Sequence, residues 1–196
     1  MRKSVKPLVL ITILALLYSP SFAQLKLPGI NGVGNDIKKV IEDYPNRFIN
    51  LMGEVIAENT QSTDYRCTLK VNGAEEVIIT RYSAKREVCS WKARMLTTEN
   101  FEKARQKFKS LFGQLNNLSI DMGEGRGFHL NGKYEIPVEG KKFATVLFSA
   151  EPASETVKKL IVELTLQYVE PMEWRVELLI YDRDRQDNEK GKTVED

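Results

Sequence analysis

Four groups of residues in this chain have types and spacings that bear on chemistry. The single histidine, His129, follows the run Gly123-Glu124-Gly125-Arg126-Gly127, with Glu124 and Arg126 close by in sequence. Histidine changes charge near neutral pH, and a neighbouring carboxylate can orient it as a general base. No serine or cysteine stands in a nucleophile-elbow pattern, however, and no acid–base pair adjoins the histidine. His129 therefore reads as a loop histidine with ordinary hydrogen bonds. The three glycines also invite comparison with a phosphate loop, but such loops open a helix whose N-terminus holds the phosphate. Here the run leads into Phe128-His129-Leu130 and the turn signal Asn131-Gly132, and no Lys-Ser/Thr follows. It reads as a loop between strands.

Metal and cofactor chemistry find little footing. One histidine and two strand cysteines do not make a zinc site of ordinary composition. Asp182, Asp184 and Asp187 approach a calcium loop but lack the turn glycine and the closing glutamate. No metal, no cofactor and no enzymatic activity are expected.

The cysteines, Cys67 and Cys89, both fall on the apolar sides of predicted strands. In an oxidising compartment two cysteines usually pair. A three-strand meander would hold their strands two spacings apart, about 9–10 Å, while a disulfide needs Cα atoms within roughly 7 Å. Either the third strand lies beside the first, or the intervening hairpin belongs elsewhere, or the thiols stay unbonded. The expectation is the Cys67–Cys89 bond.

The fourth group is charge. From Arg81 to Lys109 nine basic residues face three acids, Glu87, Glu99 and Glu102. Lys92 and Arg94 share the polar face of a strand, and Lys103 and Lys107 are helical neighbours. If these surfaces adjoin, Lys92, Arg94, Lys103 and Lys107 form a patch for an acidic envelope protein or an anionic glycan. The competing reading is a solvated face balanced by acids elsewhere.

The leader decides which partners are within reach. Arg2, Lys3 and Lys6 precede eleven residues, Leu8 to Tyr18, that are apolar but for Thr12, and Ser21 and Ala23 then supply a small-x-small site. That is a secretory signal over 1–23, leaving Gln24 first. The apolar run is too short to span a bilayer, which takes roughly 20 residues; an uncleaved anchor is the alternative. Cleavage changes the charge balance, since 29 Lys+Arg against 27 Asp+Glu becomes 26 against 27. Overall attraction to nucleic acid loses its basis, and the chain is expected to be periplasmic or extracellular, with no membrane span after cleavage.

The elements that must position these groups follow from periodicity. Residues 24–34 and 182–196 read as flexible ends around a single domain over 35–181. Asn35 is a plausible helix cap, with Ile37, Val40, Ile41 and Tyr44 on one face. Pro45 interrupts this helix, and Phe48, Leu51, Met52 and Val55 suggest a second short one. Tyr65 to Val71, Glu76 to Tyr82 and Glu87 to Leu96 read as strands, with Asn72-Gly73 as a hairpin turn. Thr97 or Thr98 can cap a helix to Leu118 carrying the stripe Phe101, Ala104, Phe108, Leu111, Phe112 and Leu115. Ser119 to Met122 suggests a short strand, and Glu139-Gly140 a further turn. Strands are expected at Lys142 to Ser149, Leu160 to Tyr168 and Trp174 to Ile180, the last two joined as a hairpin through Glu170-Pro171-Met172-Glu173. Val157, Leu160, Ile161 and Leu164 also fit a helix, but the alternation persisting to Tyr168 favours strand.

The expected fold is α+β: an antiparallel β-sheet, one long amphipathic helix packed on it, and a short N-terminal helix. The expected function is an exported, non-enzymatic binding or accessory module for an envelope protein or anionic glycan. The alternatives are a hydrolase with dispersed carboxylates and a structural envelope component.

Overall fold

The computed structural model describes residues 32–83, 88–123, 125 and 127–183. The leader, the segment to residue 31, residues 84–87 with Lys85, Arg86 and Glu87, Glu124, Arg126 and the tail from residue 184 lie outside the described residues, so expectations placed there are not taken further.

In chain order the elements are α1 (Gly32–Glu42), β1 (Met52–Asn59), β2 (Ser62–Cys67), β3 (Glu76–Tyr82), β4 (Val88–Thr98), α2 (Phe101–Leu115), β5 (Ser119–Asp121), β6 (Gly127–Gly132), β7 (Phe143–Glu151), β8 (Leu160–Val169) and β9 (Glu173–Asp182). The nine strands form one antiparallel sheet in the order β1-β2-β3-β4-β9-β8-β7-β6-β5. Two meanders, β1–β4 and β5–β9, each follow a helix, and their last strands, β4 and β9, pair at the centre. Helices α1 and α2 lie against one face of the sheet, and the fold of the described residues is α+β on antiparallel sheet.

Strand alternation decides which face is buried. Across five neighbouring strands Ile79, Trp91, Ile180, Val162 and Phe148 stand opposite one another. All five are almost wholly removed from water beneath the helices. From α2, Ala104, Phe108, Leu111 and Leu115 enter this layer; from α1, Val33, Ile37, Val40 and Ile41 do. Burying each such large apolar side chain stabilises the fold by about 1.5–3 kcal/mol before entropic costs. Phe101 and Trp174 close one end of the layer with ring centroids 4.8 Å apart.

Several expectations need correction. Helix α1 begins at Gly32, so residues 32–34 of the N-terminal segment are helical and Asn35 lies inside the helix rather than capping it. No second helix forms over Phe48–Val55: a 3-10 turn over Ile49–Leu51 leads into β1. Beneath that turn the buried Asp43 carboxylate accepts hydrogen bonds from the Asn46 side chain and from the backbone and side chain of Asn50. Asn100, not a threonine, caps α2, accepting from the Lys103 N–H at 3.0 Å. Thr97 is committed elsewhere, since its N–H and hydroxyl both donate to Glu75. Strand β2 stops at Cys67, so Asn72-Gly73 lies in a longer connection, with Gly73 at φ +72°. Asn131-Gly132 finishes β6 rather than forming a turn, and a Cβ on Gly132 would sit 2.6 Å from the Phe148 ring. The hairpin β8–β9 forms with Val169 opposite Glu173, and strand wins over helix from Leu160. Asp182 belongs to β9 rather than to a tail.

The expected cystine is absent. Cys67 and Cys89 form no disulfide. Strand β3 separates their strands. The register adds a lengthwise offset, because Arg81 of β3 stands opposite Cys89 whereas Ile78 stands opposite Arg66, the neighbour of Cys67. The meander geometry prevails over the pairing tendency.

Candidate functional site

The other face of the sheet carries the polar chemistry. Shifted by one residue from the buried row, Ile78, Lys92, Leu179, Glu163 and Leu147 stand opposite one another. Among the described residues no helix covers this row. The next row, Glu76, Arg94, Glu177, Thr165 and Thr145, holds an ionic network. Arg94 reaches Glu76 at 2.6 Å and lies 3.9 Å from Glu177, whose carboxylate also accepts from Gln167. Nearby, Arg175 pairs with Glu173 at 3.0 Å. Glu163 accepts from Tyr181 at 2.7 Å and from Thr145 at 3.1 Å. Arg94 and Arg175 thus both hold carboxylates.

The basic residues singled out in the sequence are not brought together. Lys92 and Arg94 project on this open face, while Lys103 and Lys107 stand on α2, which packs against the opposite face. The two-residue period explains the separation: Trp91, Ala93 and Met95 turn toward α2, so their neighbours turn away. Burial lowers the Lys107 ammonium from its ordinary value, partly offset by Glu75.

Away from the centre, the end strand β5 borders an open crevice of about 810 Å³. Helix α1 contributes Lys38 and Glu42, one turn apart on its polar side; β5 contributes Ser119 to Asp121; β6 contributes Phe128 and His129; Pro152 closes one end. The sequence reading missed this grouping. One local signal was available: Ser119/Asp121 and His129/Asn131 alternate polar with the apolar Ile120, Phe128 and Leu130, the mark of a two-stranded hairpin.

That hairpin also places Ser119, His129 and Glu151 side by side on three adjacent strands. The composition suggests a nucleophile–base–acid row, but the geometry does not deliver one. His129 Nε2 is 3.9 Å from Glu151, both side chains are about half exposed, and Glu151 accepts instead from Asn131 at 2.9 Å. No hydrogen bond joins Ser119 to His129 among the described contacts. An activated hydroxyl needs its base within about 3 Å in a water-poor site. What this row can do is donate and accept hydrogen bonds at a surface.

Cys67 has a distinct setting. Burial pushes its thiol up from the ordinary value, against the lowering influence of the Trp91 indole N–H and the Leu69 backbone. The Trp91 N–H, in a fully buried ring, has no acceptor of good geometry. A raised, partly buried thiol is a poor nucleophile. Among the described residues no three His, Cys, Asp or Glu side chains are grouped to hold a metal ion, and no helix is long and apolar enough to cross a membrane.

No protein-family model matches this chain, and neither a curated protein nor a solved structure does so.

Proposed function

We propose that the chain is an exported, non-enzymatic binding or accessory module of the cell envelope, and that it recognises a protein through the open side of the β5–β7 arm. The observation that carries this reading is the alternation along β7. Val146, Phe148 and Ala150 are buried, whereas Phe143, Thr145, Leu147, Ser149 and Glu151 are exposed. Phe143 and Leu147 keep 50 % and 47 % of their surface open to water on a sheet face. Exposed apolar groups rimmed by polar ones suit a protein interface.

A protein is favoured over an anionic glycan because Arg94 and Arg175 on the open face already hold carboxylates. The hydrolase alternative draws on the crevice, which brings Glu42, Asp121 and His129 together. Its openness works against it, because catalytic groups draw their strength from exclusion of water. Export rests on the leader over 1–23, and separation of the thiols is compatible with it.

The test is a pull-down from the envelope fraction with the chain from Gln24, comparing wild type with the double variant Phe143→Ser/Leu147→Ser. A specific protein held by wild type and lost by the equally stable variant supports the reading. Equal retention by both, or turnover of an envelope polymer by the purified chain, overturns it.

A further inference from the structure

The two ends of the sheet treat their unpaired backbone differently. Strand β1, at one end, is long and exposed along most of its length. Its register with β2 slips twice, between Met52 and Val55 and between Val55 and Ala57, and Glu54 and Glu58 point into water. Bulges and charges are the devices that keep an edge from accepting another strand. Strand β5, at the other end, has neither bulge nor register slip: Ser119, Ile120 and Asp121 face His129, Phe128 and Gly127 in regular order.

Hydrogen bonding fixes which groups β5 leaves available. The Leu130 N–H donates to the Leu118 carbonyl at 3.1 Å. Antiparallel pairs alternate between bonded and non-bonded, so Ile120 bonds to β6 while the N–H and C=O of Ser119 and Asp121 point away from it. Ser119 and Asp121 line the crevice beside α1. Among the described residues the space is therefore bounded by the outward side of β5, a three-residue edge with one charge, Asp121, and by Lys38 and Glu42 of a helix.

We infer that this crevice takes an extended protein segment, which adds to β5 as a tenth strand beside α1. The inference rests on the proposed protein-binding function and names the site and form of the bound chain. Main-chain hydrogen bonds to Ser119 and Asp121 supply affinity, and alternate side chains supply choice. On the open-face side the incoming residue meets the exposed carboxylate of Asp121, so a basic side chain belongs there. The alternate residues turn toward α1, where Lys38 and Glu42 offer one charge of each sign.

The probe is a phage-displayed library of decapeptides panned on the chain from Gln24, followed by synthesis of the enriched sequence. Ser119→Pro removes an outward N–H while leaving the Ile120 bonds to β6 in place, as proline on an edge strand allows. Peptide affinity should fall on the order of tenfold in Ser119→Pro, and change by less than about twofold in Ser119→Ala, which keeps the backbone donor. Asp121→Lys should select against peptides with a basic residue at that position. A second measurement leaves the protein untouched: N-methylation should abolish binding at the two peptide residues, two apart, whose N–H groups donate to the outward carbonyls of Ser119 and Asp121, and spare the rest. Enriched peptides that bind Ser119→Pro as well as wild type overturn the inference, as does equal tolerance of N-methylation at all positions or a failure to enrich any peptide. An envelope partner held equally by wild type and Ser119→Pro sinks the β5 site alone. Absence of any partner for wild type sinks the binding function itself.

Discussion

Two rows of residues one position apart run across the same five strands, and they differ in almost everything. Ile79, Trp91, Ile180, Val162 and Phe148 form a dry apolar band under α2, whereas Ile78, Lys92, Leu179, Glu163 and Leu147 form a mixed band on the uncovered side. The backbone ladder is common to both, so the contrast comes from side-chain chemistry and from what lies above each face. One-residue alternation thus divides the sheet: the first band is buried in the core, and no described helix covers the second.

The sharpest way to break this contrast is to cut into the dry band. Phe108→Ala should destabilise the protein by about 3–5 kcal/mol, read as a fall in the denaturant midpoint, because it opens a cavity the neighbours cannot fill. A smaller effect is expected from the ionic network. Glu177→Ala, which removes the acceptor of Gln167 and the carboxylate 3.9 Å from Arg94, should cost about 1–3 kcal/mol. Should Glu177→Ala prove as damaging as Phe108→Ala, the open face would be structural rather than available.

The cysteines sharpen the comparison through pH. Because burial raises the Cys67 thiol in the folded state, folding is unaffected by it below about pH 8.5, where exposed thiols ionise. As pH climbs through the higher folded-state value, the unfolded chain ionises more readily and stability is lost. Cys67→Ala should flatten that alkaline loss, measured as denaturant midpoints at neutral and alkaline pH in both proteins. Intact mass after alkylation in denaturant without reductant should show two adducts, since Cys67 and Cys89 are not bonded to each other. The smallest effect belongs to the uncovered band: Leu147→Ala should shift stability by no more than about 0.5 kcal/mol.

Much of this architecture is legible from residue order. The alternation from Leu160 to Tyr168 and from Trp174 to Ile180 marks two strands, and the stripe from Phe101 to Leu115 marks a helix, because both patterns are long and undisturbed. Strand β1 is hidden for a physical reason: its bulges break the two-residue period, and Phe48, Leu51, Met52 and Val55 fall at helical spacing instead. Strand β6 is masked by the glycines before it and by Asn131-Gly132, where the glycine serves the close approach of Phe148 rather than a turn. The crevice is readable on one side only, where the alternation of Ser119/Asp121 and His129/Asn131 marks a hairpin. Lys38 and Glu42 meet Ser119 and Asp121 only because β5 ends the sheet beneath α1, a fact of strand order that no local pattern encodes. The basic run from Arg81 to Lys109 misleads for the opposite reason, since sequence proximity conceals that strand and helix present their charges on opposite sides of one sheet.

The most direct test of the proposed recognition face is amide hydrogen exchange of the chain with and without a protein captured in the pull-down. Protection gained on binding should concentrate in residues 119–151, with β1 and the exposed side of α2 unchanged. Protection confined to α2 or β1, with residues 119–151 exchanging as in the unbound protein, would contradict the account.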